Sequence, residues 1–295
     1  MFDIVSIPMG YVLRFLSSLV GDNFAAAVFV FTVLVNLAMI PLTIKSQKSS
    51  VQQMRIRPKL DLLKAECGDD RQLYSTKMQE LYQKENVSMS GGCLPMLLRM
   101  LFMMGIYYAI SNPLRYLCGV SADVINEAVK ELGLKSPMAL IEPVLRGEVA
   151  TIPADKLGNI DFLLFGNPAL DLTKTPHFTL DFSKAQLIWL IPISSFIAQM
   201  ATTVVSTKIQ KLHNPDMPNM SLMLFTMPLF SLFIGFGFPG ALGFYWTCSA
   251  LVSGTIQIIV SLKYGPNVII AKEQSRDVYA RYQKEEKRPR GGAQK

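Results

Sequence analysis

From Met217 to Leu262 the chain runs 46 residues without a charged side chain and then enters a basic tail. As one helix at 1.5 Å per residue, such a run would be ~69 Å long, over twice the ~30 Å hydrocarbon core of a bilayer. It must fold back on itself. The break stands at Gly235-Phe236-Gly237-Phe238-Pro239-Gly240, where glycine permits unusual backbone angles and Pro239 removes a donor. The run therefore reads as two spans, 217–236 and 241–262, joined by a tight outer turn at 237–240.

The same scan finds three more apolar segments: 24–44 and 185–207 without a charge, and 93–112 with one, Arg99. With half of the 295 residues hydrophobic and 17% charged, the expected fold class is an all-α integral membrane protein with five transmembrane helices. Lys and Arg accumulate on the cytoplasmic side. Segment 45–92 holds nine of them against six acids, segment 208–216 holds Lys208 and Lys211, and the tail 263–295 holds nine against four. The long loop 113–184 instead has seven against nine. This pattern puts the N-terminus and that loop outside, the C-terminus inside, and the protein in the cell membrane.

Three non-spanning segments have structure of their own. In residues 1–23, Ile4, Ile7, Tyr11, Val12, Phe15, Leu16 and Leu19 recur at helical spacing with Ser6, Gly10, Arg14, Ser17 and Ser18 between them. That is the pattern of a helix in the outer interface. A signal peptide ending at Ala25-Ala26-Ala27 competes, but it lacks a basic start and would cut into the first span. Segment 45–92 carries apolar residues three and four apart on both sides of Cys67-Gly68-Asp69-Asp70, the mark of a cytoplasmic helical hairpin with a cationic face. In the outer loop, Ser121 to Leu134 reads as an amphipathic helix with Val124, Ile125, Val129 and Leu132 on one side; the proline-rich remainder reads as irregular, without a sizeable core.

Catalytic signatures are scarce. His177 and His213 sit beside prolines without metal-ligand spacing, and Cys67, Cys93, Cys118 and Cys248 are irregularly placed, so neither a metal, a cofactor nor a disulfide framework is expected. The match to G-x-G-x-x-G at Gly235, Gly237 and Gly240 falls in a hydrophobic hairpin and reads as a turn. More informative are the polar residues inside spans. Asn36 lies ~12 Å and Arg99 ~9 Å from the inner ends of their spans, and Gln199, Ser253 and Gln257 lie in the inner halves of theirs. A guanidinium at that depth costs at least ~2.5–3.5 kcal/mol, so it should face a polar or hydrated interior, unless it snorkels to the inner headgroups. Interhelical hydrogen bonds are the simpler account of the amides; their common depth favours a shared cavity. No Asp or Glu falls inside a span, which weighs against proton- or cation-coupled transport.

Pro41-Leu42-Thr43-Ile44-Lys45-Ser46-Gln47-Lys48, then Met78-Gln79-Glu80-Leu81-Tyr82, then Gly91-Gly92-Cys93-Leu94-Pro95, together with Phe238-Pro239-Gly240-Ala241-Leu242-Gly243-Phe244-Tyr245-Trp246, closely resemble the YidC-type membrane protein insertases. The likeness covers most of Phe24 to Leu262, in the form that lacks a large extracytoplasmic domain. It implies five spans around a hydrophilic groove open to cytoplasm and lipid, a mobile cytoplasmic hairpin, and a basic tail that helps dock ribosomes. By resemblance, Gln199 and Trp246 correspond to groove positions, and Gly91, Gly92 and Pro95 to the entry of the second span. One departure stands out. The family's groove arginine belongs in the first span where this chain has Asn36, while Arg99 stands where the second span usually has glutamine.

The expected function is insertion of nascent membrane proteins into the bilayer, without enzymatic chemistry, DNA or nucleotide, alone or beside the Sec translocon. Candidate groove residues are Asn36, Arg99, Gln199, Trp246, Ser253 and Gln257. Two rivals stay open at this point: a small-molecule or anion transporter, against which five spans without equal halves argue, and a membrane assembly scaffold that has no need of Arg99.

Overall fold

The computed structural model describes residues 3–85, 87, 93–134, 136–153, 157, 160–179, 181, 186–213, 221–266, 268–269, 271, 275 and 278–279. Among them the chain is helical, with two isolated bridges and no strand. The helices are α1 (Asp3–Leu19), α2 (Phe24–Ala38), α3 (Ile40–Cys67), α4 (Arg71–Lys84), α5 (Cys93–Ser111), α6 (Pro113–Tyr116), α7 (Ala122–Glu131), α8 (Ile141–Leu145), α9 (Leu190–His213), α10 (Ser221–Gly235) and α11 (Gly240–Lys263). They form two compact units. One comprises Met1–Ile40, Met96–Thr207 and Met217–Gln257; the other comprises Pro41–Pro95, Lys208–Asp216 and Ile258–Lys295.

Among the described residues, two helical stretches, Leu187–Leu212 and Gly240–Lys263, are long and apolar enough by themselves to cross a membrane. A third qualifies if α2 and α3 are taken as one broken span. The break falls at Met39, inside the expected first span. Pro41 cannot donate to the Leu37 carbonyl and its ring crowds that oxygen, so the run cannot continue unbroken; the last regular bond of α2 is from the Met39 N–H to the Val35 carbonyl (3.0 Å). Residues 40–44 thus open the long helix of the hairpin. The apolar faces are turned outward: Phe29, Leu34 and Leu37 on α2, Leu190, Ile193, Ile197 and Val205 on α9, Phe225, Phe230 and Phe233 on α10, and Leu251, Ile259 and Leu262 on α11 are all exposed. So much exposed apolar surface on long helices is what a chain presents to lipid.

In the first unit, close contacts fix the directions of three helices. Ser194 Oγ lies 3.1 Å from Thr247 Oγ1, and a Cβ on Gly254 would fall 2.7 Å from Thr202 Cβ, so α9 and α11 run parallel. Gly235 meets Pro192, while Ser231 reaches Gln199, so α10 runs antiparallel to α9. Glycines make these approaches possible; at Gly243 a Cβ would stand 2.9 Å from Ile191 Cγ2. The 237–240 turn is present where the sequence places it, with the Gly237 N–H bonded to the Ile234 carbonyl (2.8 Å).

Helix α1 is present, with its large apolar residues turned outward and its small residues against the protein. The buried side is Ser6, Met9, Gly10, Leu13, Leu16 and Ser17. Ile4, Ile7, Tyr11, Val12, Phe15 and Leu19 are exposed. Small residues pack against protein because they permit close approach: Gly10 abuts the Tyr116 backbone, and Gly105 on α5 abuts Val5 and Met9. Asp3 closes the contact, accepting from Arg115 Nη2 at 3.0 Å and from the Tyr116 hydroxyl at 2.8 Å.

The loop 113–184 is also more built than its prolines imply. Leu140, Val144, Leu157 and Leu172 are fully buried, in one core cluster with Leu13, Phe24, Ile106, Ile110 and Ala241. Pro113, Pro137 and Pro168 each begin a short helical turn, where a missing N–H costs nothing. The amphipathic helix occupies Ala122–Glu131, capped by Ser121. Leu132 is not on its buried side: it ends the helix and is exposed, while Ile125 and Ala128 are buried.

In the second unit, α3 and α4 form the expected hairpin. Gly68 takes the left-handed conformation (φ +55°) that ends α3, and Asp70 caps α4 by accepting from the Gln72 and Leu73 N–H groups, each at 3.0 Å. Few side chains are buried: Ser49, Val51, Ile56 and Cys67 on α3 and none on α4. Charge supplements this thin packing, since Glu85 pairs with both Lys59 and Arg55. The Lys59 hydrogen bond, with Arg55 and Lys84 nearby, holds the Glu85 carboxyl below its usual range.

Candidate functional site

Of the polar residues that the sequence places inside spans, Gln199 is the best connected. It projects half-buried from α9, where its Nε2 donates to Ser195 Oγ (2.9 Å) and its Oε1 accepts from Ser231 Oγ on α10 (3.2 Å). One turn further along α9, Thr202 Oγ1 donates to the Ala198 carbonyl (2.9 Å) and packs beside Gly254. A band of hydroxyls and one amide thus joins α9 to α10, and Gly254 brings α11 against it. Its chemistry is hydrogen bonding, without a fixed charge.

Ser253 lies next to Gly254, within a turn of the Gln199 level, and Gln257 follows one turn deeper; both are half-buried. Ser253 Oγ donates back to the Ser249 carbonyl of its own helix. Asn36 is likewise half-buried and donates through Nδ2 to the Thr32 carbonyl at 2.8 Å. Such back-bonding satisfies a hydroxyl or amide inside lipid and keeps a polar edge on the helix. Trp246 is set apart. It neighbours Thr247, which meets Ser194, so it stands about 9 Å from Gln199 along the axis, toward the 237–240 turn. Its ring packs with Phe238 of that turn (centroids 6.3 Å apart), which in turn meets Tyr107 of α5 (5.8 Å).

Arg99 falls on α5, six residues before Gly105, about 9 Å along the axis; its side chain lies outside the described residues, as does that of Pro95. Gly91 and Gly92 lie outside them altogether. Among the described residues there is no cluster of His, Cys, Asp and Glu able to hold a metal.

Sequence reasoning missed Ser195, Ser231, Ser194 and Thr247. Ser195 was within reach, since it stands four residues before Gln199 on one helix face. Ser231 was not, because its meeting with Gln199 depends on how α10 packs against α9.

The helices, their outward apolar faces and this internal polar band define an integral membrane protein with a partly polar interior. The match to the family model described as "60Kd inner membrane protein" extends over residues 15–266, which includes α2 through α11 and the C-terminal end of α1. The chain belongs to that family. Similar relatives include the membrane protein insertase YidC of Anaeromyxobacter dehalogenans strain 2CP-C, 42% identical over 102 residues, which is 35% of this chain and 18% of that protein. The YidC of Aliivibrio salmonicida is 42% identical over 107 residues (36% and 19%), and that of Nitratidesulfovibrio vulgaris is 33% identical over 150 residues (50% and 28%). The aligned stretches thus cover 18%, 19% and 28% of the relatives' own lengths.

Proposed function

We propose that this chain is a membrane protein insertase of the plasma membrane, working without a catalytic step. The observation that carries this reading is the family match over residues 15–266, reinforced by relatives named for that activity. Five spans, with the N-terminus outside and the basic tail in the cytoplasm, would surround a hydrophilic groove containing Asn36, Arg99, Gln199, Ser253 and Gln257, with Trp246 toward its outer end. A polar groove reaching partway into the bilayer shortens the hydrocarbon path for the polar part of a nascent chain. Its apolar segment then enters lipid under its own burial free energy. Gln199, Thr202 and Ser253 offer hydrogen bonds that are weak and exchangeable, which suits a substrate that must leave. The basic tail is the proposed contact for ribosomes, and the Sec translocon is a further proposed partner.

Arg99 supplies the positive charge that the family resemblance places at position 36. Relocation to a facing helix at similar depth preserves the attraction for acidic residues of the substrate. The test is protease protection of a short single-span substrate added to liposomes containing only this protein. Protection above that of protein-free liposomes is expected, to fall in Arg99→Gln, and to return in the Asn36→Arg, Arg99→Gln double exchange. Protection no greater than in empty liposomes would overturn autonomous insertion in favour of a partner-dependent chaperone. A double exchange as poor as Arg99→Gln would overturn the relocation alone.

A further inference from the structure

Between Asp161 and Asp171 the outer loop runs through Phe162-Leu163-Leu164-Phe165-Gly166-Asn167-Pro168-Ala169-Leu170 without a charge. Both feet of this segment are hydrogen-bonded to the first residues of helices read as spans. At one foot the Phe24 N–H donates to the Asp161 carbonyl (2.9 Å) and the Asp161 N–H donates to the Asp22 carbonyl (2.8 Å). At the other, the Gly240 N–H donates to the Lys174 carbonyl (2.8 Å) and the Ala241 N–H to the Leu172 carbonyl (2.9 Å). The segment therefore stands at the outer ends of α2 and α11, and Phe165 is no more than ~14 Å of chain from the first foot.

Phe165 is 88% exposed, the highest value among the large hydrophobic side chains described. Its φ is +56°, a left-handed conformation that strains a bulky residue, although Gly166 follows immediately. The turn holds it there. Asp161 Oδ1 accepts from the Leu163 N–H (2.9 Å), Asn167 Oδ1 from the Ala169 N–H (3.0 Å), and Asp171 Oδ1 from the Thr173 N–H (2.9 Å) and hydroxyl (2.7 Å). Leu164 and Leu172 are buried beneath it. A ring pushed into water this way gains neither burial nor a hydrogen bond to offset the strain. At the headgroup–acyl boundary of a bilayer, where interfacial segments bury Trp, Phe and Leu, the same ring is favoured.

We propose that the 162–170 turn is a lipid anchor, with Phe165 seated at the outer headgroup–acyl boundary, where it fixes the depth of the α2 and α11 ends. The proposal rests on reading those helices as spans with their N-terminal ends at one membrane face, and not on insertion activity. A segment of another protein covering the ring is the competing occupant. The test uses full-length Phe165→Trp in phosphatidylcholine vesicles carrying bromine at shallow or deep acyl positions, with wild-type emission subtracted. The added emission should fall about twofold with shallow bromines, more than with deep ones, and resist aqueous iodide, as for a ring buried ~5–10 Å into the interface. Strong iodide quenching without a bromine effect would overturn the anchor, and shielding from all quenchers would overturn it in favour of a protein partner. Leu251→Trp, on the exposed face of α11, separates the two readings: if bromolipids do not quench its added emission either, α11 itself is not in the bilayer. Should the tryptophan variant misfold, a spin label on Phe165→Cys is expected to collide with oxygen more than with a water-soluble nickel chelate, and the reverse order would refute the proposal.

Discussion

Ser6 and Gly10 stand one turn apart on the buried face of α1, and changing each to alanine should move stability in opposite directions. A Cβ at position 10 would lie 2.6 Å from the Tyr116 carbonyl carbon and 2.8 Å from its Cβ, and backbone cannot step aside as a side chain can. Overpacking of this kind costs about 1–3 kcal/mol. With backbone in the way the upper part of that range, about 2–3 kcal/mol, applies, and the better helix propensity of alanine returns roughly 1 kcal/mol, leaving Gly10→Ala net destabilised by about 1–2 kcal/mol. Ser6 is 0% exposed and its hydroxyl is buried without a hydrogen-bond partner among the described residues. Leaving such a group unmet costs about 1–3 kcal/mol, so Ser6→Ala should gain about 1 kcal/mol or more. The two variants should then differ by about 2–3 kcal/mol, or roughly 4–12 °C in unfolding midpoint for a compact unit of this size. Thermal unfolding of the full chain at one fixed detergent concentration measures this. A Gly10→Ala protein as stable as wild type, or a Ser6→Ala protein less stable, would show that α1 is not seated against Tyr116 as described.

Three further outcomes are expected. A double-mutant cycle of Gln199→Leu and Ser231→Ala should give a coupling near ~0.6 kcal/mol, the average for hydrogen bonds between membrane helices; zero coupling would separate the two residues. Glu85 has a carboxyl pKa held below its usual 4.5, chiefly by Lys59. The clasp should therefore support the hairpin above pH 4.5 and be lost as pH falls through the lowered value, seen as faster hydrogen exchange near the end of α4, and Glu85→Gln should remove that acid dependence. Tyr116 is pushed up to about 12 by burial and then by its hydrogen bond to Asp3. Its contribution is full below pH 10 and declines between 10 and 12, where the unfolded chain has lost a proton that the folded one keeps. The difference in ultraviolet titration between wild type and Tyr116→Phe should accordingly show one late-ionising tyrosine; a midpoint near 10 would contradict the buried contact.

Much of this fold was legible because membrane spans and turns are local signals. The uncharged run with Gly235 to Gly240 in its middle yields a helix, a turn and a helix wherever it is placed, and Gly68 with Asp70 marks a hairpin tip by capping chemistry alone. Gln199 was visible for the same reason, as an amide in an apolar stretch. Its partner Ser231 was not, nor was the separation of Trp246 from the Gln199 level, because both follow from the packing of α9 against α10 and α11.

Tertiary structure decided which face of each element is inside. For α1 the apolar periodicity gives a helix but not its orientation, since a helix between protein and lipid is apolar on both sides; small residues mark the protein side because they allow backbones to approach. In the loop 113–184 the prolines announce interruptions, yet Pro113, Pro137 and Pro168 each start a short turn, and the loop's leucines close a core with α1, α2 and α5. Sequence by itself therefore determined that this chain lies in a membrane, where it turns, and which polar residues it carries below the surface. Which of those residues meet, and which side chains are left facing lipid, depended on contacts between segments distant along the chain, whose free energy no local pattern contains.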